Sequence, residues 1–189
     1  MTALRPLAAA TLALSLLAAP AVARTVEGFD FPETTTAGGA GAALVGTGVR
    51  VKWMVNVYAM GVYQKTPTKS AGHLVNADEP KVLWLHMLRG ISGDKMRDAI
   101  DDGLESNTSE ATRGALAADI DALKKAFPNE IGKGLDIKFE YAPGRGVTLK
   151  IGASEKLTVN KKEFMVAMWS IWFGRSPADK DLKGSVLAP

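Results

Sequence analysis

The segment that most constrains the fold is residues 44–63, with the sequence LVGTGVRVKWMVNVYAMGVY. After a glycine-spaced start at Gly46 and Gly48, apolar residues recur at every second position from Val49 to Val57. A period of two residues is typical of β-strand, and the segment is rich in the β-branched and aromatic residues that strands favour. The alternation therefore predicts extended strand structure through most of this segment.

The second face of this segment is chemically mixed. It contains these residues: Arg50, Lys52, Met54, Asn56, Tyr58, Met60 and Val62. A solvated face would carry less apolar surface, and a core face would not carry an arginine. Ligand pockets combine an apolar lining with a few polar groups that fix one end of the ligand. The pattern predicts that this face forms the wall of a pocket.

Residues 1–23 have the features of a secretory signal peptide. Arg5 gives a positive start, residues 7–17 are mostly apolar, and Ala21-Val22-Ala23 is a small-x-small cleavage site. The alternative is an uncleaved membrane anchor, but the apolar run is short for a span of about 20 residues. We expect a mature protein that begins at Arg24 and is periplasmic or secreted.

Residues 24–189 are expected to form one domain, since no internal linker or repeat divides them. The chain has no cysteine, which excludes disulfides, thiol catalysis and thiolate metal sites, and export without cysteine fits a bacterial periplasm. The formal net charge is only +3, and the sequence has no patch of basic residues interleaved with aromatic residues. Nucleic acid is therefore not an expected partner. No later segment has the length and apolarity of a stable membrane span.

The order of predicted elements indicates the fold class. The elements are a short strand at 25–32, a flexible loop at 34–41, segment 44–63, a helix at 70–75, a strand at 81–89, two helices starting after Ser92, three strands within 135–159, and a helix capped by Asn160. Residues 82–88 are apolar on both faces, as in a central strand. The tail from Gly174 is expected to run along the surface. This order predicts an α+β fold, a mostly antiparallel sheet with helices on one face.

Familiar catalytic and metal-binding patterns are missing from the sequence. His73 and His86 are the only histidines and lie on different predicted elements, so no metal site is expected, and His86 is expected to be a hydrogen-bonded core residue. The acidic residues of 98–105 are predicted to form a solvated helix face. The sequence has neither a nucleophile elbow nor a phosphate-binding loop, and no cofactor is predicted.

Arg50 is the most informative polar residue. An arginine on a half-apolar strand needs an anion, because burying an unpaired charge is costly. One possibility is an internal ion pair with Asp30 or Glu33. The other is recognition of a carboxylate or phenolate ligand, with the Tyr58 hydroxyl as a second hydrogen-bond donor.

Several motifs together resemble the chalcone isomerase family. They are Gly48-Val49-Arg50, the run from Val57 to Tyr63, Leu88-Arg89-Gly90-Ile91-Ser92-Gly93 before a helix, and Trp172-Phe173-Gly174 followed by Ser176-Pro177. The chain is most similar to the bacterial chalcone isomerase-like proteins and the plastid fatty-acid-binding members, rather than the plant flavonoid enzymes. The resemblance implies an open-faced sandwich, in which a long antiparallel sheet lies under a layer of helices.

The same resemblance speaks against the chemistry of the plant enzymes. Their cleft residues correspond here to Arg50, Tyr58, Met96, Gly103 and Ile171, with Ser170 adjacent to the last position. Only the arginine is kept, and a methionine cannot orient a water or polarise a ketone. No catalytic residue is therefore assigned, and the chain is expected not to carry out the cyclisation.

The resemblance implies a non-catalytic protein that holds a fatty acid or similar amphipathic anion. Arg50 and Tyr58 would bind the carboxylate, and Met96, Ser170 and Ile171 are the other candidate ligand-binding residues. A methionine-rich lining would suit a flexible apolar tunnel, although ordinary core packing explains these methionines equally well. Two alternatives stay open: an isomerase or intramolecular lyase of unknown substrate in the same cleft, and a structural or interaction protein without a ligand.

A shared carboxylate requires Arg50 and Tyr58 to be close in space. On one straight strand, eight rises of about 3.3 Å would separate them by roughly 26 Å. We therefore expect a bend, bulge or turn between Lys52 and Asn56 if the two residues form one site, although the sequence has no glycine or proline there.

Overall fold

The computed structural model describes residues 23–189, so the predicted signal peptide, apart from Ala23, lies outside the described residues. The strands are β1 (Arg24–Val26), β2 (Phe29–Phe31), β3 (Thr34–Ala37), β4 (Ala40–Lys52), β5 (Val55–Gln64), β6 (Lys81–Met87), β7 (Ile91–Ser92), β8 (Glu130–Ile131), β9 (Asp136–Ala142), β10 (Gly146–Ile151) and β11 (Ser154–Val159). The helices are α1 (Ala71–Asn76), α2 (Gly93–Asn107), α3 (Glu110–Ala115), α4 (Ala117–Ala126), α5 (Lys162–Phe173) and α6 (Lys180–Leu187).

Seven strands form the main sheet in the order β11-β10-β9-β6-β5-β4-β3. Each neighbouring pair is antiparallel. Strand β6 occupies the middle, as its apolar faces predict: Leu83 and Leu85 are buried on one face and Val82 on the other. The predicted α+β class, an antiparallel sheet with a layer of helices, is confirmed.

The main core lies between the sheet and the helices. Helix α5 is apolar on all sides, and Trp169 and Met165 have no exposed surface. They pack in one cluster with Leu85 of β6 and with Ile100 and Leu104 of α2. A helix without a polar face must be covered all round, and α5 is covered by the sheet below and by α1 and α2 beside it.

The opposite face of the sheet is partly covered by the β1–β2 hairpin. Phe31 is fully buried, and its ring lies over Gly61, where a Cβ atom would come within 2.5 Å of the Phe31 ring. Phe29 stacks on His86, with ring centroids 3.8 Å apart. The Nδ1 atom of His86 lies 2.8 Å from the Asp136 carboxylate, so His86 is hydrogen-bonded as expected, but it is half-buried rather than a core residue.

Residues 44–63 form two strands, and a two-residue turn at Trp53 and Met54 joins β4 to β5. Both turn residues have positive φ, 54° and 61°, as a type I′ hairpin turn requires. The register shifts by one residue between Arg50 and Val51, so that β5 has one extra residue, Val57. This bulge pairs Arg50 with Tyr58. The conditional prediction of a bend in this segment is confirmed.

Five local predictions were wrong. Residues 25–32 were expected to form one strand, but they contain the β1–β2 hairpin, and the two helices expected after Ser92 are three, α2, α3 and α4. Residues 34–41 were expected to be a flexible loop, but they form β3, a tight turn and the start of β4. Asn160 does not cap the last core helix: the N-cap position is Lys161, without a side-chain cap hydrogen bond. The tail is not simply a surface segment, because it contains α6, which follows the N-cap residue Asp179 and buries Leu182.

Helix α6 lies directly on β4. A Cβ atom at Gly46 would come within 2.1 Å of the Val186 carbonyl oxygen, and one at Gly48 within 2.7 Å of the Leu182 side chain. The Asp179 carboxylate also accepts a hydrogen bond from the Val51 backbone N–H at 3.1 Å. The two glycines that open segment 44–63 are therefore needed for this close helix–strand contact.

Within residues 23–189, no helix has both the length and the apolar character needed to cross a bilayer.

Candidate ligand-binding site

A pocket of about 320 Å³ lies between the β4–β5 hairpin and helix α2. Its lining residues are Arg50, Lys52, Trp53, Val57, Tyr58, Arg89, Gly90, Ile91, Lys95, Met96, Asp98, Ala99 and Asp102. The volume is at the lower end of the range for small-molecule sites, about 300 to 1,000 Å³. The structure thus brings Arg50, Tyr58 and Met96 together, three of the five residues predicted to bind a ligand.

Arg50 lines the pocket from β4, beside the bulge in β5. Its guanidinium carbon lies 5.8 Å from the centroid of the Tyr58 ring, within range of a cation–π contact. In the part of the chain that the structure describes, Arg50 forms no ion pair. The alternative of an internal ion pair with Asp30 or Glu33 is therefore wrong, and the guanidinium is available to an external anion.

Tyr58 forms the inner end of the pocket and connects it to the core. Its side chain is almost fully buried, and its hydroxyl oxygen accepts a hydrogen bond of 2.7 Å from Nε1 of Trp172. Burial raises the pKa of the Tyr58 hydroxyl, and the nearby Arg50 charge offsets this only in part. The phenol is consequently neutral at physiological pH, where it can donate a hydrogen bond but does not act as a phenolate base.

The apolar part of the lining comes from Trp53 at the turn, Val57 on β5, Ile91 on β7, and Met96 and Ala99 on α2. The other residues proposed for a methionine-rich tunnel lie elsewhere. Met60, Met165 and Met168 are fully buried in the main core, and Met54 is at the exposed hairpin tip. Ordinary core packing accounts for the three buried methionines, and Met96 is the methionine that lines the pocket.

One stripe of α2 adds charge to the pocket. Lys95, Asp98 and Asp102 line it and are exposed, as predicted for a solvated helix face. The neighbouring Asp94 and Asp101 also fit that prediction, because they pair with Arg97 and Lys124 at the surface. The spacing i, i+3, i+7 places the three pocket residues on one side of the helix, next to the stripe that contains Met96. Because this charged stripe is next to the one that contains Met96, the sequence could have predicted that the three residues line the same pocket.

Two further cations line the pocket. Lys52, the last residue of β4, lies on the face that was predicted to form a pocket wall, whereas Arg89, which follows β6, was quoted for its family resemblance only and was missed. With Arg50 and Lys95, they give the pocket four basic side chains, against the carboxylates of Asp98 and Asp102. The pocket thus carries a net positive charge.

Ser170 and Ile171 do not line this pocket. The Ser170 hydroxyl donates a 2.6 Å hydrogen bond to the Ala167 carbonyl of its own helix, and Ser170 borders a separate groove near Asn107 and Arg175. Ile171 packs against Gly103, where a Cβ atom would come within 2.6 Å of the isoleucine side chain. The structure therefore does not bring these two residues together with Arg50, and their role in ligand binding stays a prediction.

The arrangement suits anion recognition better than proton transfer. Arginine presents planar N–H donors that match a carboxylate, and the neutral Tyr58 hydroxyl is a further donor. The apolar wall beyond them can cover a hydrocarbon group. Within residues 23–189, no cluster of three or more histidine or carboxylate side chains could hold a metal ion.

Comparisons with known proteins agree with this architecture. The family model described as chalcone isomerase-like matches residues 23–188. Among solved structures, a crystal structure of a fatty-acid binding protein from Arabidopsis thaliana has a similar fold, with a TM-score of 0.67 and 18% sequence identity. The match covers 88% of this chain and 95% of the plant protein. A search of curated protein sequences found no significant match.

The family match extends over nearly all the described residues and includes every strand of the main sheet. At 18% identity, the plant structure supports the fold and not a shared ligand. The motifs around Arg50, Arg89 and Trp172, which resemble those of the family, lie in or beside the pocket. The chain belongs to the chalcone isomerase-like family.

Proposed function

We propose that this protein is a non-catalytic binding protein that holds a fatty acid or a similar amphipathic anion in the pocket beneath Arg50. The observation that carries the proposal is the environment of Arg50. Its guanidinium lies at a pocket with an apolar wall, and within residues 23–189 it forms no ion pair. A buried or half-buried cation without a partner favours an anionic ligand.

Three further observations support the proposal. Arg89 and Lys95 also line the pocket and add positive charge to it. The neutral Tyr58 hydroxyl is close to Arg50 and can donate to a carboxylate oxygen. A structural neighbour with the same fold is described as a fatty-acid binding protein.

Direct titration with a fluorescent acid tests the proposal. The probe is a dansyl-labelled fatty acid, and the chain begins at Arg24, since every described element lies between Arg24 and Leu187. We expect Arg50→Ala to weaken binding about tenfold or more, because hydrogen bonds to charged groups contribute about 1.5 to 3 kcal/mol.

Arg145→Ala is the matched control. Arg145 lies at the β9–β10 turn, is half-exposed and pairs with Glu155, so its removal makes the same charge change away from the pocket. Binding that is equal in the Arg50→Ala and Arg145→Ala variants would overturn the proposal. Native mass spectrometry of the purified protein would identify the acid that it retains.

We also propose that the protein works in the periplasm or outside the cell, on the basis of the signal-peptide features of residues 1–23. N-terminal sequencing of the protein from fractionated cells tests this. A mature chain that begins at Arg24 in the periplasmic or secreted fraction is expected, and an unprocessed chain in the cytoplasmic fraction would contradict it.

A further inference from the structure

The exposed apolar surface of the described chain is concentrated at one place, the tip of the β4–β5 hairpin. Trp53 is 87% exposed and Met54 is 97% exposed. Val51 and Val55, on either side of the turn, are 47% and 38% exposed. These are all the large hydrophobic residues that are exposed within residues 23–189. A contiguous apolar projection of this kind is typical of a contact surface rather than of a solvated loop.

The backbone of the tip gives an independent reason to infer a function. Trp53 and Met54 both have positive φ, a conformation that Asn-Gly adopts readily in type I′ turns. Larger residues in this conformation are strained. The turn would therefore fold better with small or polar residues, and the two large apolar side chains do not serve the turn itself.

The charges around the tip identify the partner. Five basic residues line the two depressions beside it: Arg50, Lys52, Arg89, Lys95 and Lys133. The carboxylates in the same depressions are those of Asp98, Asp102 and Glu27. Basic residues are thus in excess, and an apolar projection with basic residues around it is complementary to a bilayer that contains anionic lipid. Tryptophan favours the headgroup region, and lysine and arginine interact with the phosphates.

The tip is also part of the pocket entrance. Trp53, which is exposed at the tip, also lines the pocket that contains Arg50, and so does its neighbour Lys52. A protein anchored by this tip would therefore have its pocket next to the lipid headgroups. An amphipathic acid could then pass between bilayer and pocket without exposing its hydrocarbon chain to bulk water. Such exposure is unfavourable because of the hydrophobic effect.

We propose that the β4–β5 tip inserts shallowly into the surface of a bilayer containing anionic phospholipid, and that the ligand enters and leaves the pocket there. The route for the ligand rests on the function proposed above. The insertion itself rests on the exposed side chains, the strained turn and the surrounding charges.

Vesicle binding tests the insertion. The chain that begins at Arg24 is mixed with vesicles of phosphatidylcholine containing phosphatidylglycerol, and bound protein is measured by flotation. We expect binding to vesicles of pure phosphatidylcholine to be about tenfold weaker, because they lack the anionic headgroups that attract basic residues. We also expect the Trp53 fluorescence to shift to the blue on binding, because Trp53 is exposed while Trp169 and Trp172 are buried.

The double variant Trp53→Asn/Met54→Gly separates loss of the surface from loss of the fold. It removes the apolar tip and supplies the residues that a type I′ turn favours. We expect vesicle binding to fall more than about tenfold while the melting temperature rises, because the two strained residues are gone. Unchanged vesicle binding in this variant would overturn the proposal.

The other possible occupants of the tip give different results. If the tip binds a second copy of the chain, sedimentation will show a wild-type dimer that the double variant loses, and wild-type protein will not float with vesicles. If it binds another protein, wild-type protein will be monomeric and will not float. Either result would overturn the membrane proposal.

The ligand step has its own readout. The rate at which dansyl fatty acid moves from protein to vesicles should rise with vesicle concentration for wild type, as expected for transfer during contact. The Met54→Gly variant leaves every pocket residue in place, so its dansyl fatty acid affinity without vesicles should equal that of wild type. A wild-type protein that floats with vesicles but binds no acid would remove the proposed function and leave the insertion standing. A wild-type protein that binds the acid but does not float with vesicles would overturn the proposed insertion and leave the proposed function standing.

Discussion

Arg50 and Tyr58 are direct partners across the β4–β5 ladder, with the guanidinium carbon 5.8 Å from the centroid of the phenol ring. Two local features create this pair. The turn at Trp53 and Met54 reverses the chain, and the extra residue Val57 shifts the register by one. Without that shift the pairing of Lys52 with Val55 would place Arg50 opposite Val57, on the basis of antiparallel geometry.

Tyr58→Phe should reduce the free energy of unfolding by about 1 to 3 kcal/mol. The variant leaves the buried Trp172 N–H without its acceptor, and an unsatisfied buried donor costs that much. Tyr63→Phe is the matched control, because the buried Tyr63 hydroxyl has no hydrogen-bond partner among the described residues. Urea unfolding should show Tyr63→Phe to be neutral or stabilising. Equal losses in both variants would mean that the Tyr58–Trp172 hydrogen bond is not what stabilises the fold here.

Lys81 should make stability increase with pH above about pH 8. Lys81 is fully buried, and its Nζ donates a 2.8 Å hydrogen bond to the Leu74 carbonyl. Burial lowers the pKa of Lys81 to about 8, from an ordinary value of 10.5. Between these values the unfolded chain binds more protons than the folded chain, so raising the pH favours folding. The full effect is roughly 3 kcal/mol.

The measurement is the unfolding free energy at several pH values for wild type and Lys81→Met. The variant has no proton to lose at this position, so the difference between the two proteins should change by more than about 1 kcal/mol between about pH 7.5 and 9.5. A constant difference across that range would show that Lys81 titrates at its ordinary pKa in the folded protein.

Gly103→Ala should destabilise the protein although alanine favours helix. At Gly103 of α2 a Cβ atom would come within 2.6 Å of the Ile171 side chain, and overpacking of this kind costs about 1 to 3 kcal/mol. Gly114→Ala in α3 is the control, because no atom lies within 4 Å of its Cβ position. That variant should be more stable by about 0.5 to 1 kcal/mol. Thermal unfolding of both proteins tests the contrast, and a stabilised Gly103→Ala would show that α2 and α5 have room between them.

Gly46→Ala should displace α6 from the sheet. Its Cβ atom would lie 2.1 Å from the Val186 carbonyl oxygen, a backbone atom that cannot rotate away. Gly41→Ala, in the same strand, meets no atom within 4 Å and serves as the control. Limited proteolysis should cleave the C-terminal helix faster in Gly46→Ala than in wild type or Gly41→Ala. Equal cleavage rates would show that the helix adjusts without leaving β4.

The sequence pattern identified the sheet, the buried α5 helix and Arg50, because each has a strong local signal. The pattern alone did not locate the turn within segment 44–63, which was expected between Lys52 and Asn56 only if Arg50 and Tyr58 were to form one site. The turn positions Trp53 and Met54 lack the glycine, asparagine or proline that usually marks a hairpin, and apolar residues continue to recur at every second position through them. A strand and a two-residue turn both fit that alternation, so periodicity alone could not separate them.

The charges of the pocket were harder to predict for a different reason. Lys95, Asp98 and Asp102 are on the polar side of an amphipathic helix, where a solvated role is the usual outcome. Their contribution depends on where the β4–β5 hairpin lies relative to α2, a tertiary relationship that no local pattern encodes. The same holds for α6, whose polar sequence conceals two buried residues, Leu182 and Val186.

The packing of α6 on β4 has a consequence for the order of events during synthesis. Gly46 is in the first third of the chain, whereas Val186 is among its last residues. A translating ribosome holds the newest part of a chain in its exit tunnel, so β4 must emerge long before its covering helix is available. Contacts between such distant segments form late and slow the folding of a domain. The β4 surface that α6 covers therefore stays bare until the segment around Val186, 140 residues further along the chain, has also been made.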